Sequence, residues 1–352
     1  MRVAICDPPS FTPQYDHELA AALARGGVDV ELVTSHFRFG EAPVPTGYER
    51  RELFYPWSSR AFRRSPLRLP LKALEHPLGM AQLARLHADV VHLQWLAWPS
   101  VDRALLRVRA PAVFTAHDLL PRRSASQRDL WRTLFGRFER IVVHTGRGRD
   151  ALIELGVPDS KLRVIPHPVF PSDPPRAADG HTVLALGVIR PYKGLGDAID
   201  ATARVDGARL LVVGDPMEPV DGYRAQAGDR AEWRLGYLPD SELDRALGEA
   251  TVAVFPYRAE LDQSGALLRA LGAGVPAVVY DVGGLAEPVR DYGAGRVVPA
   301  NDVDALAEAL RELLSDPEAL TQAREGARRA REELTWDRSA AAHLELYREL
   351  VP

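Results

Sequence analysis

The sequence predicts an α/β protein of two doubly wound parallel-sheet domains facing each other across a crevice, and three observations predict it. Short β-branched runs alternate with apolar-periodic helical segments through the first half, the same scheme restarts in the second half, and a Pro-rich polar stretch lies between them. At 352 residues the chain exceeds what one hydrophobic core serves, which agrees with two domains.

The first half opens with RVAICD and DVELVTS, strands flanking a helix around HELAAALARGG, and continues with strands in ADVVHLQW, APAVFTAHD and RIVVHTG. Around IPHPVFPSDPPRAADGH prolines and small polar residues accumulate, which places the interdomain linker near 167–181. The second half reads TVLALGVI, ARLLVVGD, AEWRLGYL, TVAVFPY, PAVVY and GRVVPA as strands with helices between them. A charged helix pair follows, and TWDRSAAAHLELYREL closes the chain as an amphipathic helix. The likeness of the halves is at domain scale, which excludes a solenoid. Open α/β sheets bind ligands outside the strand carboxyl ends, so the crevice is the expected site.

Hydrophobic residues make up 46% of the chain, and no apolar run is long enough to span a membrane. MRVAICDPP lacks the zones of a signal peptide and Cys6 is a lone cysteine in a strand, so a cytoplasmic location is expected. Charge divides unevenly. Residues 1–167 hold 24 Lys+Arg against 17 Asp+Glu, a net +7, and the remainder holds 20 against 31, a net −11. Much of the basic excess lies where Arg60, Arg63, Arg64, Arg68 and Lys72 alternate with Trp57, Phe62, Leu67, Leu69 and Leu71. Such a segment is either a solvated rim or a peripheral contact with an anionic membrane, and Pro66 and Pro70 argue against a long amphipathic helix there. An acidic chain with one diffuse basic region does not fit nucleic acid.

Two successive strand–loop–helix units, TVAVFPYRAELDQSGALLRALG and PAVVYDVGGLAEPV, carry the functional signal. Gln263, Ser264 and Gly265 in one loop, and Gly283 and Gly284 in the other, let backbone N–H groups at a helix start approach an anion; tight βα turns alone would also use such glycines. In LALGVIRPYKGLG, Arg190 and Lys193 share a loop between Gly187 and Gly194, and two cations so placed can hold one diphosphate. Such cations would stabilise a leaving diphosphate most in the transition state, the role a metal plays elsewhere. His117 ends the strand AVFTAHD beside Asp118, which suits either a cleft role or a satisfied structural histidine; His144 and His167 read as structural. GxxxxGK(S/T), metal-spaced Cys/His sets and Gly-x-Ser-x-Gly are absent, so no metal and no cofactor are expected.

In their order and spacing, YDHELAAALARGGVDVELVT, FTAHDLLP, VIPHP, LGVIRPYKG, LGYLPDSEL and QSGALLRALGAGVPAVVYDVGGLAE resemble the retaining glycosyltransferases of family 4, which have the GT-B fold. The resemblance implies Rossmann-like domains at 1–167, on the acceptor side, and 168–334, for the nucleotide sugar, with a helix at 335–352 crossing back onto the first. It implies transfer of a sugar from a nucleotide-diphosphate sugar to a hydroxyl acceptor, lipid-linked or soluble, with retention and without a metal. Arg190 and Lys193 would hold the diphosphate, His117 would face the sugar, Glu287 would lie by the donor, and backbone at Gly236 and Tyr237 would meet the base. Gln14, Tyr15 and Asp16 fall where the family often has paired glycines, and Asp16 could instead cap the following helix. The family's two glutamates are replaced by Leu261 and Arg269, which cannot accept a hydrogen bond from a sugar hydroxyl; Gln263 and Ser264 are candidates to substitute. A nucleotide-sugar epimerase and a non-catalytic nucleotide-sugar-binding partner of another transferase stay open as alternatives.

Overall fold

The structure, a computed structural model, describes residues 1–60, 68–120, 126–258 and 263–351. The chain divides into two units, Met1–Pro166 together with Trp336–Pro352, and His167–Thr335.

In the first unit the apolar runs become β1 (Arg2–Asp7), β2 (Asp29–Ser35), β4 (Val90–Leu93), β5 (Ala112–Thr115) and β6 (Arg140–Val143). They pair in parallel in the order β3-β2-β1-β4-β5-β6-β7, where β3 is Glu49–Phe54 and β7 is Leu162–Val164. These two edge strands lie outside the sequence expectation. An edge strand buries little, so ERRELF keeps its arginines toward water and carries no apolar signature, and β7 has three residues only. The central strands β4 and β5 are buried throughout, as a sheet covered on both faces requires. Cys6 is fully buried in β1.

Helix α1 (Pro13–Arg25) packs Leu19, Ala20 and Leu23 inward and stops at Gly26-Gly27, where Gly27 takes the left-handed conformation (φ 82°). Helix α2 (Arg68–Leu83) forms where prolines argue against a long one. Pro70 falls in the first turn, whose N–H groups have no intrahelical partner to lose, although Pro77 does sit inside the helix. Of the basic segment, Phe62, Arg63, Arg64, Pro66 and Leu67 lie outside the described residues. Helices α3 (Pro99–Leu105), α4 (Arg128–Phe135) and α5 (Gly146–Glu154) complete the layers, α5 capped by Thr145, whose Oγ1 accepts from Gly148 N at 2.9 Å.

The second unit pairs six parallel strands in the order β10-β9-β8-β11-β12-β13. They are β8 (Thr182–Leu186), β9 (Arg209–Gly214), β10 (Ala231–Leu235), β11 (Val252–Phe255), β12 (Ala277–Tyr280) and β13 (Gly295–Val298). Helices α6 (Leu195–Ala203), α7 (Asp221–Ala227), α8 (Asp240–Glu249), α9 (Gly265–Gly272), α10 (Glu287–Tyr292), α11 (Val303–Ser315) and α12 (Pro317–Glu333) cover them. Asp302 and Asp316 cap the charged pair α11 and α12.

The last helix, α13 (Trp336–Arg348), belongs to the first unit, where it packs on α1. Tyr347 bonds to His92 Nδ1 at 2.6 Å, and the other ring nitrogen of His92 meets Thr115 Oγ1 at 2.7 Å. Trp336 packs edge-on against Tyr15 at 5.1 Å.

Candidate active site

Strand order reverses once in each sheet, between β1 and β4 in the first unit and between β8 and β11 in the second. Loops leaving the two strands at such a point diverge and open a recess at the carboxyl ends. Gly187, Arg190, Lys193, Gly194, Gln263 and Ser264 fall on the loops after β8 and β11.

In the second unit Gly187 (φ 113°) follows β8 and the loop turns through Pro191–Lys193 to Gly194. Gly194 has φ 67°, and a Cβ there would come within 1.9 Å of the Pro256 carbonyl, so only glycine lets this loop lie against the end of β11. The approach delivers Lys193, whose Nζ donates to Tyr257 Oη at 2.7 Å and lies 4.5 Å from that ring's centroid. Tyr257 Oη meets Ser264 Oγ at 3.1 Å, and Ser264 caps α9 by accepting from Leu267 N. Gln263 joins the two small-residue loops: its Oε1 accepts from Ser264 N at 2.9 Å and its Nε2 reaches the Gly284 carbonyl at 3.5 Å. Lys193, Ser264, Gln263 and Gly284 are thus one bonded series from β8 to α10, with Gly265 opening α9 and Gly283 (φ 48°) opening the turn before Glu287.

Arg190 is exposed on extended backbone just before the turn. Glu287 is half-buried at the start of α10. Gly236 (φ 131°) and Tyr237, the latter 56% exposed, follow β10, two strands away from β8. Gly214, which the motifs did not single out, lies between them: a Cβ on it would come 2.0 Å from the Gly187 carbonyl, and its own carbonyl accepts from Gly236 N at 3.0 Å. Leu261 lies outside the described residues. Arg269 is engaged in structure, 3.1 Å from Asp240 and 5.5 Å from the Phe170 ring centroid.

In the first unit His117 follows β5 with its ring stacked on Trp95 at 5.3 Å and met edge-on by Tyr15 at 4.6 Å. Its Nε2 lies 2.9 Å from Gln94 Oε1 and its Nδ1 lies 3.4 Å from His144 Nε2. His144 Nδ1 faces the Ile165 carbonyl at 3.0 Å, and a carbonyl only accepts, so that nitrogen carries the proton. Gln94 Oε1 only accepts, so His117 Nε2 carries a hydrogen toward it. His167 donates to the Pro168 carbonyl at 2.7 Å, and burial pushes its pKa down to about 4.

Gln14 reaches along α1 to Glu18 at 3.3 Å. Asp16 is not a cap, as it could have been: Thr12 holds that position, and Asp16 sits buried inside the first turn against Asp7. Asp7 Oδ2 accepts from the N–H groups of Phe11 (2.7 Å) and Thr12 (3.0 Å). Burial and the charge of Asp7 push the Asp16 pKa well up. Asp7, Gln94, Trp95 and Tyr257 are site neighbours that the motifs did not single out. Among the described residues no three His, Cys, Asp or Glu side chains converge as a metal site.

Comparison with known proteins agrees with this geometry. The family described as Glycosyltransferase Family 4 matches residues 14–173, and that described as Glycosyl transferases group 1 matches residues 180–316. Among curated relatives, a D-inositol 3-phosphate glycosyltransferase of Mycobacterium avium (strain 104) is 27% identical over 96% of this chain and 88% of its own length. Among solved structures, sucrose-phosphate synthase from Thermosynechococcus elongatus superposes with a TM-score of 0.77 at 22% identity, covering 99% of both chains. HepE of Anabaena, solved in complex with UDP and glucose, gives 0.73 at 16% identity over 99% of this chain and 100% of its own. The two sheets and their switch-point loops are thus those of a GT-B glycosyltransferase. Within that class the chain belongs to glycosyltransferase family 4.

Proposed function

We propose that this glycosyltransferase moves a sugar from a nucleotide-diphosphate sugar to a hydroxyl acceptor, with retention of anomeric configuration and without a metal. The observation that carries the donor assignment is the Lys193–Tyr257–Ser264 series at the β8/β11 switch point. Breaking the sugar–phosphate bond leaves the diphosphate more negative. A preset ammonium and the exposed Arg190 guanidinium would meet that charge as it grows, with little reorganisation. HepE, a protein of the same fold, is solved with UDP and glucose, which supports a nucleoside diphosphate as ligand. In the first unit, His117 held by Trp95, Tyr15 and Gln94 offers a fixed imidazole to a sugar hydroxyl.

Calorimetric titration with UDP, ADP and GDP tests donor-site binding, and release of nucleoside diphosphate from a nucleotide sugar without acceptor tests catalysis. Arg269 at a usual glutamate position favours one second reading, a non-catalytic nucleotide-sugar-binding partner of another transferase. That protein would bind a nucleotide and release none from its sugar. Peripheral contact with an anionic bilayer, if the acceptor is lipid-linked, would use Trp57, Leu69, Leu74 and Leu78, which are 63–72% exposed. Co-sedimentation with anionic vesicles at low salt, and its loss in Leu74→Glu with Leu78→Glu, checks that surface.

A further inference from the structure

Of the 44 cationic side chains only Lys72, Lys161 and Lys193 are lysines. Two have evident partners: Lys161 donates to the carbonyls of Gly136 and Phe138 at 3.0 and 2.7 Å, and Lys193 donates to Tyr257. Lys72 has no hydrogen bond or ion pair among the described residues. Its ammonium sits 4.5 Å from the centroid of the Tyr55 ring, half-buried. One turn earlier on α2, Arg68 likewise has no acidic partner among them, and its Nε is buried without a hydrogen bond.

The platform under Lys72 is rigid. Tyr55 follows β3, is buried, and holds φ 53°, a conformation a tyrosine adopts only under constraint. Its hydroxyl meets His76 Nδ1 at 2.7 Å, His76 Nε2 meets Asp102 Oδ1 at 2.6 Å, and Asp102 Oδ2 accepts from Trp98 N at 2.8 Å. Nearby acids are occupied elsewhere. Asp102 serves His76, Glu75 accepts the N–H groups of Trp57 and Ser58, and Asp7 accepts those of Phe11 and Thr12. Burial first, then the like charges of Arg68 and Arg38, push the Lys72 pKa down to about 8; the more distant Asp102 and Asp7 oppose this weakly. An ammonium destabilised in this way gains most from an incoming anion. Tyr55 and Arg38 also follow the carboxyl ends of β3 and β2, the edge of the sheet on which open α/β folds bind ligands.

We infer that Lys72, over the Tyr55 ring, and Arg68, one turn earlier on α2, form a seat for a phosphate or phosphate-ester group; if the transferase reading holds, the acceptor carries that group. The presence of only three lysines makes the test direct. Reductive methylation with isotope-labelled formaldehyde keeps each lysine charged and yields three lysine signals by NMR, assigned with Lys→Arg variants. Inorganic phosphate, compared with chloride at equal ionic strength, should raise the titration midpoint of Lys72. Arg68→Met should weaken phosphate binding roughly tenfold or more while the Lys72 signal persists. A Lys72 midpoint that tens of millimolar phosphate does not move, or an unchanged response in Arg68→Met, overturns the site. Nucleoside diphosphate titrated into the same samples reports on Lys193 separately. A response at Lys72 without one at Lys193 keeps the phosphate seat and removes the donor assignment, and the converse removes the seat alone.

Discussion

Lys193 and Tyr257 make coupled contributions that a double-mutant cycle resolves. Lys193→Met removes a charge-assisted contact to a diphosphate, worth about 1.5–3 kcal/mol, which corresponds to roughly a 10- to 150-fold loss of nucleoside diphosphate affinity. The fold should tolerate it, because Tyr257 Oη keeps Ser264 as a partner at 3.1 Å. Tyr257→Phe removes only the hydroxyl that aims the ammonium from 2.7 Å, a neutral-partner effect of about 0.5–1.5 kcal/mol, or roughly 2- to 13-fold. If Tyr257 acts through Lys193, the double variant binds no more weakly than Lys193→Met alone, giving a coupling energy equal to the Tyr257 effect. Calorimetry at one fixed ionic strength measures all four proteins. Unchanged affinity in Lys193→Met refutes the phosphate seat at the β8/β11 switch point, and strict additivity refutes the positioning role of Tyr257.

His117→Ala should lower transfer while nucleoside diphosphate affinity stays nearly constant, because the two groups belong to different sheets; equal losses in turnover and affinity would mark it as structural. Transfer should continue in EDTA, and restoration by magnesium or manganese of an activity lost there would contradict the role given to Arg190 and Lys193. His167 and His343 are buried with pKa values lowered to about 4, so the unfolded chain takes up their protons first. Stability should therefore hold above pH ~6.5 and fall toward pH 4 by roughly 3 kcal/mol for each, as followed by urea denaturation across that range. Asp16 has the opposite sign: its folded pKa is raised, so stability declines as pH rises from about 4 through that folded value. Asp16→Asn keeps a donor toward Asp7 and should raise the melting temperature more at pH 8 than at pH 5; thermal melts at both values decide it.

The inner strands were legible because burial on both faces demands continuous apolar runs such as VAVF and AVVY, and a sheet of that kind implies the helices between. β3 escaped because Glu49, Arg50 and Arg51 occupy an edge that buries little. Lys193 and Ser264 stood out by the type of loop they occupy, whereas Tyr257 reads in sequence as one more strand-end aromatic. Only its hydroxyl, set between them in space, gives it a role. The Asp7–Asp16 pair is likewise invisible in sequence, since a turn and a helix start separate two acids that the fold buries together. Lys72 looked like part of a basic rim, and its isolation from carboxylates emerges only once Asp102 and Glu75 are seen facing other donors.

The first unit is written in two pieces, with the whole of His167–Thr335 inserted before α13. During synthesis the second unit is a continuous stretch that can close as soon as it leaves the ribosome. The first must wait. Until Trp336 and Tyr347 arrive, Tyr15 lacks a neighbour and His92 lacks one of its two hydroxyl partners inside an otherwise finished sheet. The aromatic clamp around His117 includes that same Tyr15, so the surroundings of His117 are completed last. Nascent chains arrested before residue 336 should therefore hold a folded second unit beside an incomplete first one.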